Sequence, residues 1–278
     1  MTILRKLRAP WRRLALGLPT ILGLRPRGWF IPHRYAPLLP PPGAQPPYPS
    51  IEALFERHRA AFLAILDQVD AHALALQSLN GLLEQAWFPS LDAAVAYALV
   101  RERKPRRIVE VGSGHSTRIL ARALAGVGEI LAIDPAPRAD IVGLPGVHVV
   151  PSTLQTAPPD LFDGLAAGDL LFVDSSHILM PGSDVDLLLN RILPRLPAGA
   201  LIHIHDIFLP FDYPAVWGWR NYNEQQGVLP LLATEAYLPL FSSVWAERRL
   251  AERLAQSVVA RLPRPPDALA TSLWLEKR

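Results

Sequence analysis

Cysteine is absent from the chain. Disulfide bonds, thiolate nucleophiles and cysteine-ligated zinc are thereby excluded, and the absence is compatible with a cytoplasmic setting. A long apolar run is also missing. The N-terminal stretch Leu14–Leu24 has eleven residues and is interrupted by Pro19 and two glycines, too short and broken to span a bilayer. It follows Arg12-Arg13 as a secretory signal would, but no small-x-small cleavage site comes after it. Acidic residues are missing from positions 1–51, which carry eight Lys/Arg. The net charge of +3 and the isoelectric point near 9.4 therefore describe that end more than the remainder. With no basic excess in the core, a nucleic-acid partner is not expected. The basic arm, residues 1–30, reads either as a solvated segment folding back on its domain or as a peripheral membrane contact.

Half of the residues are hydrophobic, and 278 residues suffice for a full core. The sequence divides into a basic, proline-rich extension over 1–50, N-terminal helices over 51–105 and an α/β domain over 106–278. Pro40-Pro41-Pro42 and Pro46-Pro47 mark an extended linker. One long helical pattern runs from Ile51 to about Leu83, with Leu54, Phe55, Phe62, Ile65, Leu66 and Val69 on one face. His58 and His72 within it read as helix-face residues rather than ligands. Ser90 is placed to cap a helix over Leu91–Glu102, closed by Pro105.

From Arg107 the pattern alternates. Strands are expected near 107–111, 129–133, 147–150, 170–174 and 200–205, with helical segments between them, the clearest being Asp184–Leu196. This argues for a mostly parallel sheet covered by helices on both faces. A helix is expected over Trp219–Ala233. Leu238–Trp245 and Thr271–Leu275 add two strands, with a basic helical insertion over Glu247–Leu262 between them.

The first strand leads into Gly112-Ser113-Gly114 and then a helix over Ile119, Leu120, Ala123 and Leu124, for which Ser116 or Thr117 can act as cap. Strand, glycine turn and helix N-terminus present backbone N–H groups and a positive dipole end to a ligand, and glycine permits close approach. The second strand ends in Asp134, 22 residues beyond Gly112, where an acid can bond the hydroxyls of a ribose. The dinucleotide pattern G-x-G-x-x-G fails at Thr117, whereas E-x-G-x-G is met by Glu110, Gly112 and Gly114.

Ligands of such sheets lie beyond the carboxyl ends of the strands. The fourth strand ends in Asp174-Ser-Ser-His177 and the fifth in His205-Asp206, so Asp174, His177, His205 and Asp206 converge on one crevice. His203 shares a face with His205 but lies deeper. The loop Phe208–Asn223, with Phe211, Tyr213, Trp217, Trp219, Arg220 and Tyr222, reads as an acceptor lid or as a cover over the sheet edge.

Glu110, Gly112 and Gly114 resemble the first motif of class I S-adenosylmethionine-dependent methyltransferases, in which Ser116 stands where the last glycine usually falls. Glu-Val-Gly-Ser-Gly-His-Ser-Thr117, His205-Asp206 and Trp219-Arg-Asn-Tyr-Asn-Glu224 are similar to elements of bacterial methyltransferase-like proteins. The resemblance covers about Phe88 to Leu232. It implies a Rossmann-like seven-stranded sheet whose last strand is antiparallel. It also implies a methyl donor held by Glu110, Gly112, Ser113, Gly114 and Ser116, with Asp134 at the ribose, Ser152 or Gln155 at the adenine, and Asp174 nearby. The acceptor would be an oxygen of a small molecule or glycan-like compound. Two mechanisms fit: an imidazole base, His205 first and then His177, or Asp174 and Asp206 holding a divalent cation such as Mg2+. The second resembles the catechol type, though Ile207 stands where those enzymes place an amide ligand. Two other readings stay open. One is a nicotinamide-dependent oxidoreductase, which lacks here its third glycine and a Tyr-x-x-x-Lys pair. The other is a non-catalytic Rossmann-like module tethered by its basic N-terminus.

Overall fold

The structure, a computed structural model, describes residues 3–25 and 34–278. Positions 1–2 and 26–33 lie outside that description, and with them positions 1–2 and 26–30 of the basic arm. The chain forms two units: Pro47–Phe211 with Tyr222–Arg278, and Met1–Pro46 with Asp212–Asn221.

The larger unit is built on seven strands: β1 (Arg107–Val111), β2 (Glu129–Ile133), β3 (Val147–Val150), β4 (Leu170–Val173), β5 (Leu201–Ile204), β6 (Tyr237–Ser242) and β7 (Leu273–Lys277). Their order is β3-β2-β1-β4-β5-β7-β6, parallel except for β7, which runs antiparallel between β5 and β6. β1 and β4 are buried almost throughout because the sheet is covered on both faces. The strand order reverses between β1 and β4, so the turns after these two strands diverge and open a crevice.

Helices α2 (Pro49–Arg57), α3 (Arg59–Ala71), α4 (Ala73–Gln77) and α5 (Asn80–Leu83) replace the single long helix expected from the periodicity. His58 and His72 interrupt it with φ near −96° and −97° and ψ of 8° and 16°. The bend at His58 lets Phe55 and Phe62 converge on Trp245, with ring centroids 6.4 and 5.3 Å away. His72 faces Glu102 at 2.8 Å on the surface. Helix α6 (Ser90–Arg103) has no wet face over Ser90–Val100, because α3 and α7 (His115–Leu124) pack against it. Pro89, not Ser90, is its N-cap; the Ser90 hydroxyl instead donates to the Pro263 carbonyl.

Three further boundaries depart from expectation. The 184–196 segment is helical as far as Arg195 but changes pitch, from α8 (Asp184–Leu187) to a π-helical turn over Leu188–Ile192 and a 3-10 turn over Leu193–Arg195, where Pro194 withholds its N–H. Helix α9 (Glu224–Ala233) starts five residues late because Asn221 takes a left-handed conformation, φ 56°. β6 stops at Ser242, whose hydroxyl accepts from Trp245 N–H and starts α10 (Ser243–Arg249), followed by α11 (Ala251–Gln256).

In the smaller unit, helix α1 spans Ile3–Ile21. The proline-rich stretch is not a free linker there: the Gly43 and Gln45 N–H groups donate to Asp212 Oδ2 at 2.9 and 3.4 Å. Arg220 lies over the rings of Trp217 and Trp219, 4.4 and 5.2 Å from their centroids.

Candidate active site

β1 ends in Gly112, whose φ of +78° is left-handed and whose missing Cβ leaves room for the Asp174 carbonyl oxygen. Any side chain would overlap that oxygen. Gly114, φ +148°, is approached by the Arg138–Ala139 backbone, which a Cβ would meet at 3.1–3.2 Å. The close approach expected of a ligand is thus made, at both glycines, by the protein's own chain. The turn is fixed from three directions. Ser113 N–H and Oγ donate to Asp134 Oδ2 at 2.7 and 3.1 Å, and Ala136 N–H donates to Oδ1 at 2.7 Å. Thr117 Oγ1 accepts from Gly114 N–H at 2.9 Å. Below the turn, Glu110 is fully buried and accepts from Ser116 Oγ and Thr117 Oγ1, both at 2.6 Å. Burial raises its carboxyl to about 8 despite those hydroxyls. Glu110 therefore tethers the first turn of α7 to β1 from beneath.

Asp134 remains half-exposed beside the turn. At the end of neighbouring β3, Ser152 Oγ is buried without a hydrogen-bond partner. A buried hydroxyl left unsatisfied marks a place for a polar ligand group. The half-exposed acid and this orphaned hydroxyl, rather than the glycines themselves, are the groups here that suit the nucleoside end of S-adenosylmethionine.

Beyond β4 and β5 the four residues expected to converge do so. Asp174 and His177 follow β4; His205 and Asp206 follow β5. His177 and Asp206 have φ of 62° and 56°, left-handed values held by the contacts they make. His177 Nε2 lies 3.3 Å from Asp174 Oδ1 and 3.4 Å from Asp206 Oδ2. His205 Nδ1 lies 3.6 Å from Asp174 Oδ1 and 3.4 Å from Asp206 Oδ1. Burial works against charge on both imidazoles. The Asp206 charge and hydrogen bonds to Asp174, with Glu224 at His177 and Asp92 at His205, outweigh it and push both well above the ordinary histidine value. Burial likewise opposes ionisation of Asp174, but the two imidazoles hold it well below the carboxylate range. Its side chain is 24% exposed, against 11% for Asp206 and 3% for His177. Asp174 is thus the member that meets solvent.

Two further participants had no place in the cluster on sequence grounds, although Glu224 closes the Trp219–Glu224 element. Glu224, at the start of α9, faces His177 Nδ1 at 2.8 Å. Asp92, in the first turn of α6, lies 3.5 Å from His205 Nε2 and accepts from Ser243 Oγ and the N–H groups of Thr271 and Ser272. Thr271 Oγ1 also donates to Asp206 Oδ1 at 3.0 Å. A lone acid in the otherwise apolar stretch Leu91–Val100 was the available signal for Asp92. His203 is excluded from the cluster: it stacks on Phe172 at 3.7 Å, Ser272 Oγ faces its Nε2 at 2.8 Å, and burial lowers its basicity. Of the expected lid, Phe208 and Phe211 are buried, and the Tyr222 ring lies 4.5 Å from His177.

The divalent cation suggested for Asp174 and Asp206 does not suit this donor set. Imidazoles that hold their protons point N–H groups, not lone pairs, at both carboxylates. Among the described residues no group of three or more His, Asp or Glu side chains is arranged to hold a metal ion.

Comparison with known proteins places these elements in context. Residues 109–207 match a family model described as a methyltransferase domain. No curated protein matches the chain. Among solved structures, a putative O-methyltransferase from Klebsiella pneumoniae is 22% identical over 63% of this chain and 80% of its own, with a TM-score of 0.38. A methyltransferase from Geobacter sulfurreducens is 16% identical over 75% and 88%, TM-score 0.41. The O-methyltransferase TomG from Streptomyces achromogenes, involved in tomaymycin synthesis and solved with S-adenosylmethionine, is 22% identical over 63% and 80%, TM-score 0.35. The matched span takes in the glycine turn and both strand-end acids, so the stretch that carries the site, residues 109–207, is similar to a methyltransferase domain.

Proposed function

We propose that the protein methylates an oxygen of a small-molecule or glycan-like acceptor. The observation that carries the reading is the contact of Gly112 with the Asp174 carbonyl. It makes the nucleotide-side turn and the acid–imidazole cluster one continuous site. S-adenosylmethionine supplies an activated methyl group when bound. What this chain contributes is alignment of the acceptor and management of its proton. His205 and His177, offered by the sequence as bases, already hold their protons near neutral pH. The partly exposed carboxylate of Asp174 is therefore the group that accepts a hydrogen bond from the acceptor's O–H, and the proton released on methyl transfer passes along that bond toward solvent. The two imidazolium groups behind it offset the charge of the carboxylates and fix their orientation.

Calorimetric titration of the full chain with S-adenosylhomocysteine tests the reading. Binding is expected, with Asp134→Ala weakening it at least about tenfold, or ~1.4 kcal/mol. Binding of NADH in its place would return the oxidoreductase reading to the front.

We also propose that α1 rests on an anionic membrane surface. Trp11, Leu14, Leu18 and Ile21 recur at helical spacing, each more than half exposed, on a segment rich in arginine and free of acids.

A further inference from the structure

Three consecutive side chains at the start of α9 each reach a different part of the strand-end loops. Asn223 Oδ1 accepts from Leu179 N–H at 2.7 Å, its Nδ2 donates to Leu179 O at 3.3 Å, and its own backbone N–H donates to His177 O at 3.1 Å. Glu224, 1% exposed, faces His177 Nδ1 at 2.8 Å and accepts from Ser175 Oγ at 3.4 Å. Gln225, also buried, accepts from Phe208 N–H at 2.9 Å and donates to Phe211 O at 3.2 Å. The loops after β4 and β5 also face each other directly, His177 Nε2 lying 3.4 Å from Asp206 Oδ2 and His205 Nδ1 3.6 Å from Asp174 Oδ1.

We propose that Asn223-Glu224-Gln225 is a positioning clasp. It fastens both strand-end loops to one helix, and Glu224 sets the rotation of the His177 ring so that Nε2 lies between Asp174 and Asp206. The clasp deepens the methyl-transfer reading and rests on it for its purpose, but its geometry stands apart from that reading. The backbone joins the 175–179 loop to α9 at one point, Asn223 N–H to His177 O, which anchors the chain but does not set the rotation of the ring. A carboxylate on Nδ1 fixes the ring from the side opposite Asp174 and Asp206. A group buried this deeply is costly to ionise, and Glu224 sits at this position only because the His177 N–H faces it. Asp92 plays the corresponding part behind His205, from the opposite side of the cluster.

The test is nitrogen-resolved NMR of the His177 ring in the full chain, comparing wild type, Glu224→Gln and Glu224→Ala. Wild type is expected to show a slowly exchanging Nδ1–H proton shifted downfield. The amide of Glu224→Gln accepts the same bond without charge, so the proton is retained and its shift moves upfield. Glu224→Ala is expected to lose it, and if that variant does not fold, the glutamine shift alone decides. Ring resonances unchanged in Glu224→Gln would overturn the clasp. S-adenosylhomocysteine titrated into the wild type reports separately: its failure to bind would count against the methyl-donor reading and leave the clasp result standing.

Discussion

At the scale of single residues, Glu110 shows how a motif acid can serve the fold. Resemblance assigned it to the donor, but its two oxygens are spent on Ser116 and Thr117 in the interior. A carboxyl whose native value is raised to about 8 stays protonated in the fold while the unfolded chain ionises. Its sign is therefore destabilising as pH rises. Native stability falls by up to about 1.4 kcal/mol for each pH unit from the ordinary glutamate range toward 8, and levels off above. Glu110→Gln cannot ionise in either state, so its urea midpoint should decline less between about pH 5 and about pH 8 than that of wild type. The raised imidazoles of His177 and His205 act in the same direction, their stabilisation being lost as pH rises from the ordinary histidine value through their native values. They are present in both proteins and cancel in the difference. Parallel midpoint curves would show that Glu110 is not held protonated.

At the scale of elements, the turn from β1 into α7 is where local geometry and site meet. Gly112→Ala places a Cβ against the Asp174 carbonyl at a left-handed φ. Gly126 has nearly the same φ, +80°, with open space around it. Gly126→Ala should thus cost only the backbone term, about 1–2 kcal/mol, while Gly112→Ala should lower Tm further and weaken S-adenosylhomocysteine binding. Thermal melts of the pair isolate the overlap; equal losses would mean the strand ends do not press together. The same element explains what could be read in advance. β1 to β5 were legible nearly to the residue, because doubly covered strands are short apolar runs bounded by glycine, proline and acids. The breaks at His58 and His72 were not. A one-residue interruption leaves the apolar positions on either side still in helical phase, and the need to wrap Trp245, nearly two hundred residues away in sequence, is a tertiary fact. The strand-end quartet was legible for the reason the strands were. Glu224 and Asp92 approach it from helices that sequence order does not bring near, so their part appears only once the chain has folded.

At the scale of the whole molecule, charge is segregated along the sequence. Residues 1–51 hold eight of the 28 Lys/Arg and none of the 25 Asp/Glu, so the remainder has 20 basic residues against 25 acidic ones, a net of −5. No helix among the described residues is long and apolar enough to cross a membrane. A basic segment with an exposed apolar stripe can instead lie in the headgroup region, where the stripe supplies affinity and the arginines supply preference for anionic lipid. The acidic remainder would be repelled by such a surface, leaving the basic arm as the end that makes contact. Full-length protein should therefore sediment with phosphatidylserine vesicles at about 0.05 M salt and be released at about 0.5 M, where screening shortens the reach of charge to a few ångströms. Neutral phosphatidylcholine vesicles should retain little. Trp11→Ser with Leu14→Ser removes apolar area without touching charge and should weaken retention at low salt, whereas reversing Arg12 and Arg13 to glutamate should abolish the lipid preference itself. Equal sedimentation with neutral and anionic vesicles would remove the anionic preference and leave the apolar stripe alone to account for binding, and sedimentation with neither would remove the membrane and leave α1 to another partner.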